Sequence, residues 1–134
     1  MNGSERDPLD PPLWLDDAEE DLRAALLFQE RKDFAPRHAC WYALQSAEKW
    51  LKGLTVLDQR THQRTHNLRD LLPESADLSV SGADLDHLTA VGVAGRYPDA
   101  GSPPTFEDAR RAVGLAGTIY DLVAAEFERR GAIN

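Results

Sequence analysis

Residues 37–58 read RHACWYALQSAEKWLKGLTVLD, and this stretch decides the fold. Cys40, Ala43, Leu44, Ala47, Trp50, Leu51, Leu54 and Leu57 recur at helical spacing, which places them on one face of an α-helix rather than in an alternating strand. Gln45, Glu48, Lys49 and Lys52 fall at i, i+3, i+4 and i+7 and form a polar stripe on the other side. The plainer reading of that stripe is a solvated face, with a Glu48–Lys52 pair contributing about a few tenths of a kcal/mol. The sharper reading is a groove lining, in which Lys49 and Lys52 meet phosphate and Trp41, on the same side, stacks a base.

Working outward toward the N-terminus, Asp10-Pro11-Pro12 reads as a helix start. Aspartate can accept from the unpaired amides of a first turn, and proline fits the first helical position. Trp14, Leu15, Ala18, Leu22, Ala25 and Leu26 follow at helical spacing and predict a helix over about 12–32. Working toward the C-terminus, residues 59–66 are polar and irregular. His66-Asn67-Leu68 then opens a short helix that must stop near Leu72, because Pro73 disfavours helix in the residue before it. Residues 73–82 carry loop signals, and Ser81 and Asp84 have capping-box-like spacing ahead of a helix over about 83–95. The stretch 96–104 holds Pro98, Gly101, Pro103 and Pro104 and is non-helical.

Thr105 and Asp108 then cap a last long helix. Its seam is Phe106, Ala109, Val113, Ala116, Tyr120, Val123 and Phe127, a heptad-like pattern. Ala112, Leu115, Ile119 and Leu122 widen that seam, and the second flank fits a contact with another copy of the chain. Leu78-Ser79-Val80 alternates but is too short for a strand. The expectation is an all-α, antiparallel four-helix bundle with an extra short helix. It forms one domain over 11–130, after a disordered lead-in at 1–10 and before a tail at 131–134.

At 134 residues the chain buries roughly two-thirds of its unfolded surface, enough to fold without a metal or a disulfide. The lone Cys40 excludes an intramolecular disulfide and a cysteine-based metal set, and it fits a reducing compartment. Met1–Asp10 has neither a basic start nor an apolar run, and no segment approaches a membrane-spanning length. The expectation is therefore a cytoplasmic protein without membrane contact. A net charge of −8 repels nucleic acid at long range, so any RNA contact needs a local basic patch. Arg60, His62, Arg64, His66 and Arg69 offer one, although a solvated basic turn is the plainer reading. The acids at 16–21 diverge around a helix axis, so no metal site is expected. No glycine-rich phosphate loop or Ser/His/Asp set is identifiable, and no cofactor is expected.

The octet Gln45-Ser46-Ala47-Glu48-Lys49-Trp50-Leu51-Lys52 resembles the second-helix signature of HEPN domains. His66-Asn67-Leu68 and Arg96-Tyr97-Pro98 resemble two further marks of that family, in the same order over about residues 13–127. The resemblance implies a helical bundle that dimerises. It also implies pairing with a minimal nucleotidyltransferase in toxin–antitoxin-like modules, with nucleotide or RNA as the ligand. Many HEPN proteins are metal-independent ribonucleases that use an Arg, four to six residues and a His near the start of the last long helix.

This sequence departs from that pattern, because no histidine follows Arg96. Arg60 and His66 have the spacing, but they lie in the loop after the second helix, and the match reads as chance. Arg96 supplies a cation for a phosphorane, yet no proton carrier is evident beside it in the sequence, so ribonuclease activity is left open. Arg96 and His66 are the weak catalytic candidates. The candidate nucleotide- or RNA-binding set is Gln45, Glu48, Lys49, Lys52, His66, Arg96 and Tyr97. The plainer readings make His66 a local cap, set Arg96 on the carbonyl ends of the third helix and pack Tyr97 on the bundle. By analogy with family systems, Tyr97 is also a candidate acceptor for nucleotide attachment. Two other functions stay open beside the partner role: a ribonuclease toxin with a non-standard site, and a helical dimerisation scaffold without ligand.

Overall fold

Two prolines set where the first two helices begin. In a computed structural model that describes residues 7, 9–61, 63–73, 75–94, 96 and 101–132, α1 spans Pro11–Glu30 and α2 spans Pro36–Leu57. Proline is favoured there because the first helical N–H has no intrahelical partner to lose. The Asp10 carboxylate expected to cap α1 makes no cap bond. With prolines at 11 and 12 the first-turn amides are missing, and the Leu13 amide bonds the Asp10 backbone carbonyl at 3.1 Å instead.

A 3-10 helix covers Leu68–Leu71, followed by α3 (Gly82–Ala94) and α4 (Phe106–Arg129). Every predicted helix is present within about two residues of its expected bounds, and no strand occurs among the described residues. Asn67 caps the 3-10 turn, accepting from the Arg69 amide. Thr105 and Asp108 close a full reciprocal capping box on α4. Ser81 accepts from the Asp84 amide as its spacing suggested, but the Asp84 carboxylate turns to Arg111 on α4 at 3.0 Å. Tyr97, His62, residues 1–6 of the lead-in and residues 133–134 of the tail lie outside the described residues.

Successive helices run antiparallel. Ser46 of α2 donates to the Ala18 carbonyl of α1, Gly92 of α3 meets Leu44 of α2, and Asp84 of α3 reaches Arg111 of α4. α2 touches all three other helices, whereas α1 and α3 do not meet. That central position explains why α2 is buried nearly all round. Leu44, Leu51 and Leu54 are fully enclosed, each contributing about 1.5–3 kcal/mol by burial.

The α4 seam packs as predicted except at its start. Phe106 is 44% exposed and carries the Lys32 ammonium over its ring, 4.6 Å from the centroid. The second α4 flank is partly consumed within the protomer: Ala112 and Ile119 are buried, while Leu115 and Leu122 are half-buried. Among the described residues no helix is long and apolar enough to cross a membrane.

Candidate functional site

The close approach of α3 to α2 creates the site. A Cβ on Gly92 would lie 2.5 Å from the Leu44 Cβ, so only glycine lets the helices come this near. One turn further along α3's path is Arg96, and one turn back along α2 is Trp41. The Arg96 guanidinium carbon consequently sits 4.5 Å from the Trp41 ring centroid. Its backbone N–H bonds the Val93 carbonyl at 3.1 Å, while the guanidinium lies over the indole. The charged group of Arg96 thus reaches across to α2.

On the same side of α2, Glu48 is buried, with its side chain only 3% exposed. This corrects the solvated-face reading of the polar stripe. The segment between α2 and α3 crosses over α2 and is pinned to α3 by the Leu68 amide on Thr89 at 3.2 Å, and it covers the carboxylate. His66 on that segment brings its Nδ1 to 2.6 Å from Glu48 Oε1. Lys52 Nζ lies 4.0 Å from Oε2, and Gln45 Nε2 donates to it at 3.5 Å. Burial pushes the Glu48 carboxyl above its ordinary range, against the pull of His66, Lys52 and Lys49.

The local-cap reading of His66 is replaced by this bond, because Asn67 performs the capping. With Glu48 ionised, Nδ1 donates and Nε2 is the nitrogen left to exchange a proton, on a side chain that is 46% exposed. The His66 ring also meets Trp41 edge-to-face, with centroids 5.6 Å apart. Trp41 therefore contacts both Arg96 and His66, and brings an imidazole from 30 residues upstream onto the same indole as the guanidinium.

Arg37, His38, Trp41 and Arg96 line an open pocket of about 170 Å³ at this end of the bundle. Arg37 and His38 were not among the sequence candidates. A signal was present: two basic residues in the first turn of a helix oppose the macrodipole, a placement that favours an anion nearby. His38 packs against Phe28 with centroids 5.4 Å apart and faces Phe34 at 6.2 Å.

The remaining candidates are dispersed. Lys49 leaves the group, pairing with Asp21 of α1 at 2.7 Å, because its turn of the stripe faces the α1–α2 seam. The basic run after α2 does not form one patch. Arg69 is engaged by Asp86 at 2.7 and 2.8 Å, His66 turns to Glu48, and Arg60 lines a separate hollow with Thr55, Thr61 and Gln63. His66 is not among the residues that line this hollow. Among the described residues no group of three or more His, Cys, Asp and Glu side chains is placed to hold a metal. Cys40 is enclosed, and burial, assisted by Asp108, pushes its thiol up to about 12, so it is not a nucleophile at neutral pH.

The HEPN domain model matches residues 12–128, all four α-helices but for the first residue of α1 and the last of α4, and every side chain of the candidate site. The chain belongs to the HEPN family. Two HEPN-like crystal structures superpose well. TT1696 from Thermus thermophilus shares 30% identity, with a TM-score of 0.73 over 86% of this chain and 96% of that one. An archaeal HEPN homologue shares 26% identity, with a TM-score of 0.64 over 87% of this chain and 96% of the other. No curated protein sequence gives a significant match. Within this HEPN bundle, Arg96 and His66 both contact Trp41, a residue outside the resembling motifs, and His66 bonds Glu48 of the octet.

Proposed function

We propose that this HEPN protein works as a homodimeric, nucleotide- or RNA-binding partner of a minimal nucleotidyltransferase in a toxin–antitoxin-like module. One observation carries the reading: Arg96 seated on Trp41, with the Glu48–His66 pair on the same indole. An aromatic face beside a guanidinium suits a base and its phosphate, and base stacking contributes about 1–3 kcal/mol. Adjacent Leu26 and Leu27 on α1 are exposed and available to a protein contact. The partner's identity rests on the family resemblance.

The test is co-expression with a minimal nucleotidyltransferase from the same genome, followed by titration of ATP and a short single-stranded RNA. A stable complex and micromolar binding that Trp41→Ala weakens about tenfold support the proposal. Absence of both overturns it.

His66 favours a second reading, a metal-independent ribonuclease with a non-standard site. Here His66 Nε2 takes the 2′-hydroxyl proton and the 2′-oxygen attacks phosphorus. The bond to the 5′-oxygen breaks, and that oxygen is protonated by the imidazolium. The products are a 2′,3′-cyclic phosphate and a 5′-hydroxyl. Cleavage lost in His66→Ala and Arg96→Ala supports this reading, and intact RNA after prolonged incubation with wild type removes it.

A further inference from the structure

We infer that the Arg37–His38–Trp41–Arg96 pocket is a receptor for the dianionic end of a phosphomonoester, a terminal phosphate, rather than for an internal phosphodiester. The inference rests on the proposed nucleotide- or RNA-binding role and names the ligand class that this site takes.

Charge is the first argument. The chain has 23 acidic and 15 basic residues, yet no acid is found among the described residues lining this pocket. Two guanidiniums and an imidazole line it instead. The Arg37 side chain makes no hydrogen bond or ion pair with any described residue, and neither do the ring nitrogens of His38. The nearby Asp33 carboxylate is engaged by Arg31 through bonds of 2.9 and 2.7 Å. Glu48, the carboxylate next along, is buried and held by His66 and Lys52. A phosphomonoester carries about −1.5 to −2 at neutral pH and a diester −1, so the monoester gains more from a basic pocket in which Arg37 is held by no described carboxylate.

Size is the second argument. About 170 Å³ lies below the roughly 300–1,000 Å³ of sites that enclose a whole drug-sized ligand. The pocket holds one headgroup, and anything attached to it extends outward. An internal diester continues into a sugar on both sides, whereas a terminal phosphate continues on one. Position is the third argument: Arg37 and His38 lie in the first turn of α2, a 22-residue helix whose N-cap Ala35 offers no side-chain cap, and the helix dipole adds positive potential there.

The experiment compares AMP, 3′,5′-cyclic AMP, adenosine and inorganic phosphate by calorimetric titration of the full chain at pH 7. AMP and cyclic AMP share base and sugar and differ in phosphate charge. The expected result is AMP binding about tenfold tighter than cyclic AMP, with inorganic phosphate displacing AMP. Arg37→Ala should erase that preference and Arg37→Lys should keep part of it, at an unchanged melting temperature. Phosphate alone binding as tightly as AMP also supports the inference and assigns no affinity to the base. Equal affinities for AMP and cyclic AMP overturn the inference and leave the proposed nucleotide binding standing. Absence of binding by all four overturns the inference together with the nucleotide arm of the reading it rests on.

Discussion

The two ends of the bundle use the same kinds of charged side chain in opposite ways. At the end where α2 and α4 finish, cations meet carboxylates. Arg130 contacts Asp58 and bonds Glu126 at 2.7 Å, and it donates to Ser75 at 2.9 Å, tying α2, α4 and the loop before α3 together. At the end where α2 and α4 begin, cations lie on aromatic faces. Arg96 covers Trp41 and Lys32 covers Phe106, while Arg31 covers Phe34 at 5.2 Å and also bonds Asp33. Charges cancelled by carboxylates lock a structure. Basic groups set on rings around a hollow leave an end of the molecule suited to an anion. The difference lies in the partners, since the residue types are shared.

The comparison breaks most severely at Gly92. Gly92→Ala pushes a methyl group into Leu44, and overpacking of this kind costs about 1–3 kcal/mol. Because Arg96 is seated by the same α2–α3 approach, the variant should also lose ligand affinity. Chemical denaturation with a parallel titration checks both, and a stable variant with normal binding would separate the helix approach from the site.

Arg130→Ala comes next. It removes the shared cation from Asp58 and Glu126, both less than one-fifth exposed, which then keep only the Ser75 hydroxyl and Arg129 among the described residues, at a cost of about 1–2 kcal/mol. It should leave the opposite pocket untouched. A melting temperature lowered by several degrees with unchanged titration is expected.

The smallest effect is a slope. Burial raises the Glu48 carboxyl above its unfolded value of 4.5, so the native state holds that proton more tightly than the unfolded chain. Its contribution is therefore fully present below pH 4.5 and is lost as pH rises through the folded value. Glu48→Gln cannot ionise. The stability difference between wild type and variant should shift against wild type as pH rises from 4 to 7, as read by urea unfolding. Parallel curves would show that Glu48 titrates as an ordinary carboxylate.

The helices were legible because each carries its own local signal: Pro11 and Pro36 at starts, the Thr105–Asp108 box, and the apolar spacing of α2 and α4. The site was half legible. Gln45, Glu48, Lys52, His66 and Arg96 were named, but Glu48 was turned outward. A single-helix pattern sends charge to solvent and cannot register the segment that crosses over it. The partner of Lys49 was not legible for a similar reason, since Asp21 lies 28 residues away. Arg37 and His38 carried no motif, and their meeting with Arg96 depends on a glycine approach that no periodicity records.

The central claim is that the Arg96–Trp41 end binds ligand while the Arg130 end only holds the bundle together. The most direct measurement is a paired one, AMP titration and thermal melting on Arg96→Ala and Arg130→Ala. The account predicts that Arg96→Ala loses about tenfold or more in affinity with a small change in melting, since an exposed cation–π contact is worth about 0.5–1 kcal/mol. It predicts the reverse for Arg130→Ala. Equal affinity in wild type and Arg96→Ala, or a loss of affinity in Arg130→Ala matching that in Arg96→Ala, would contradict it.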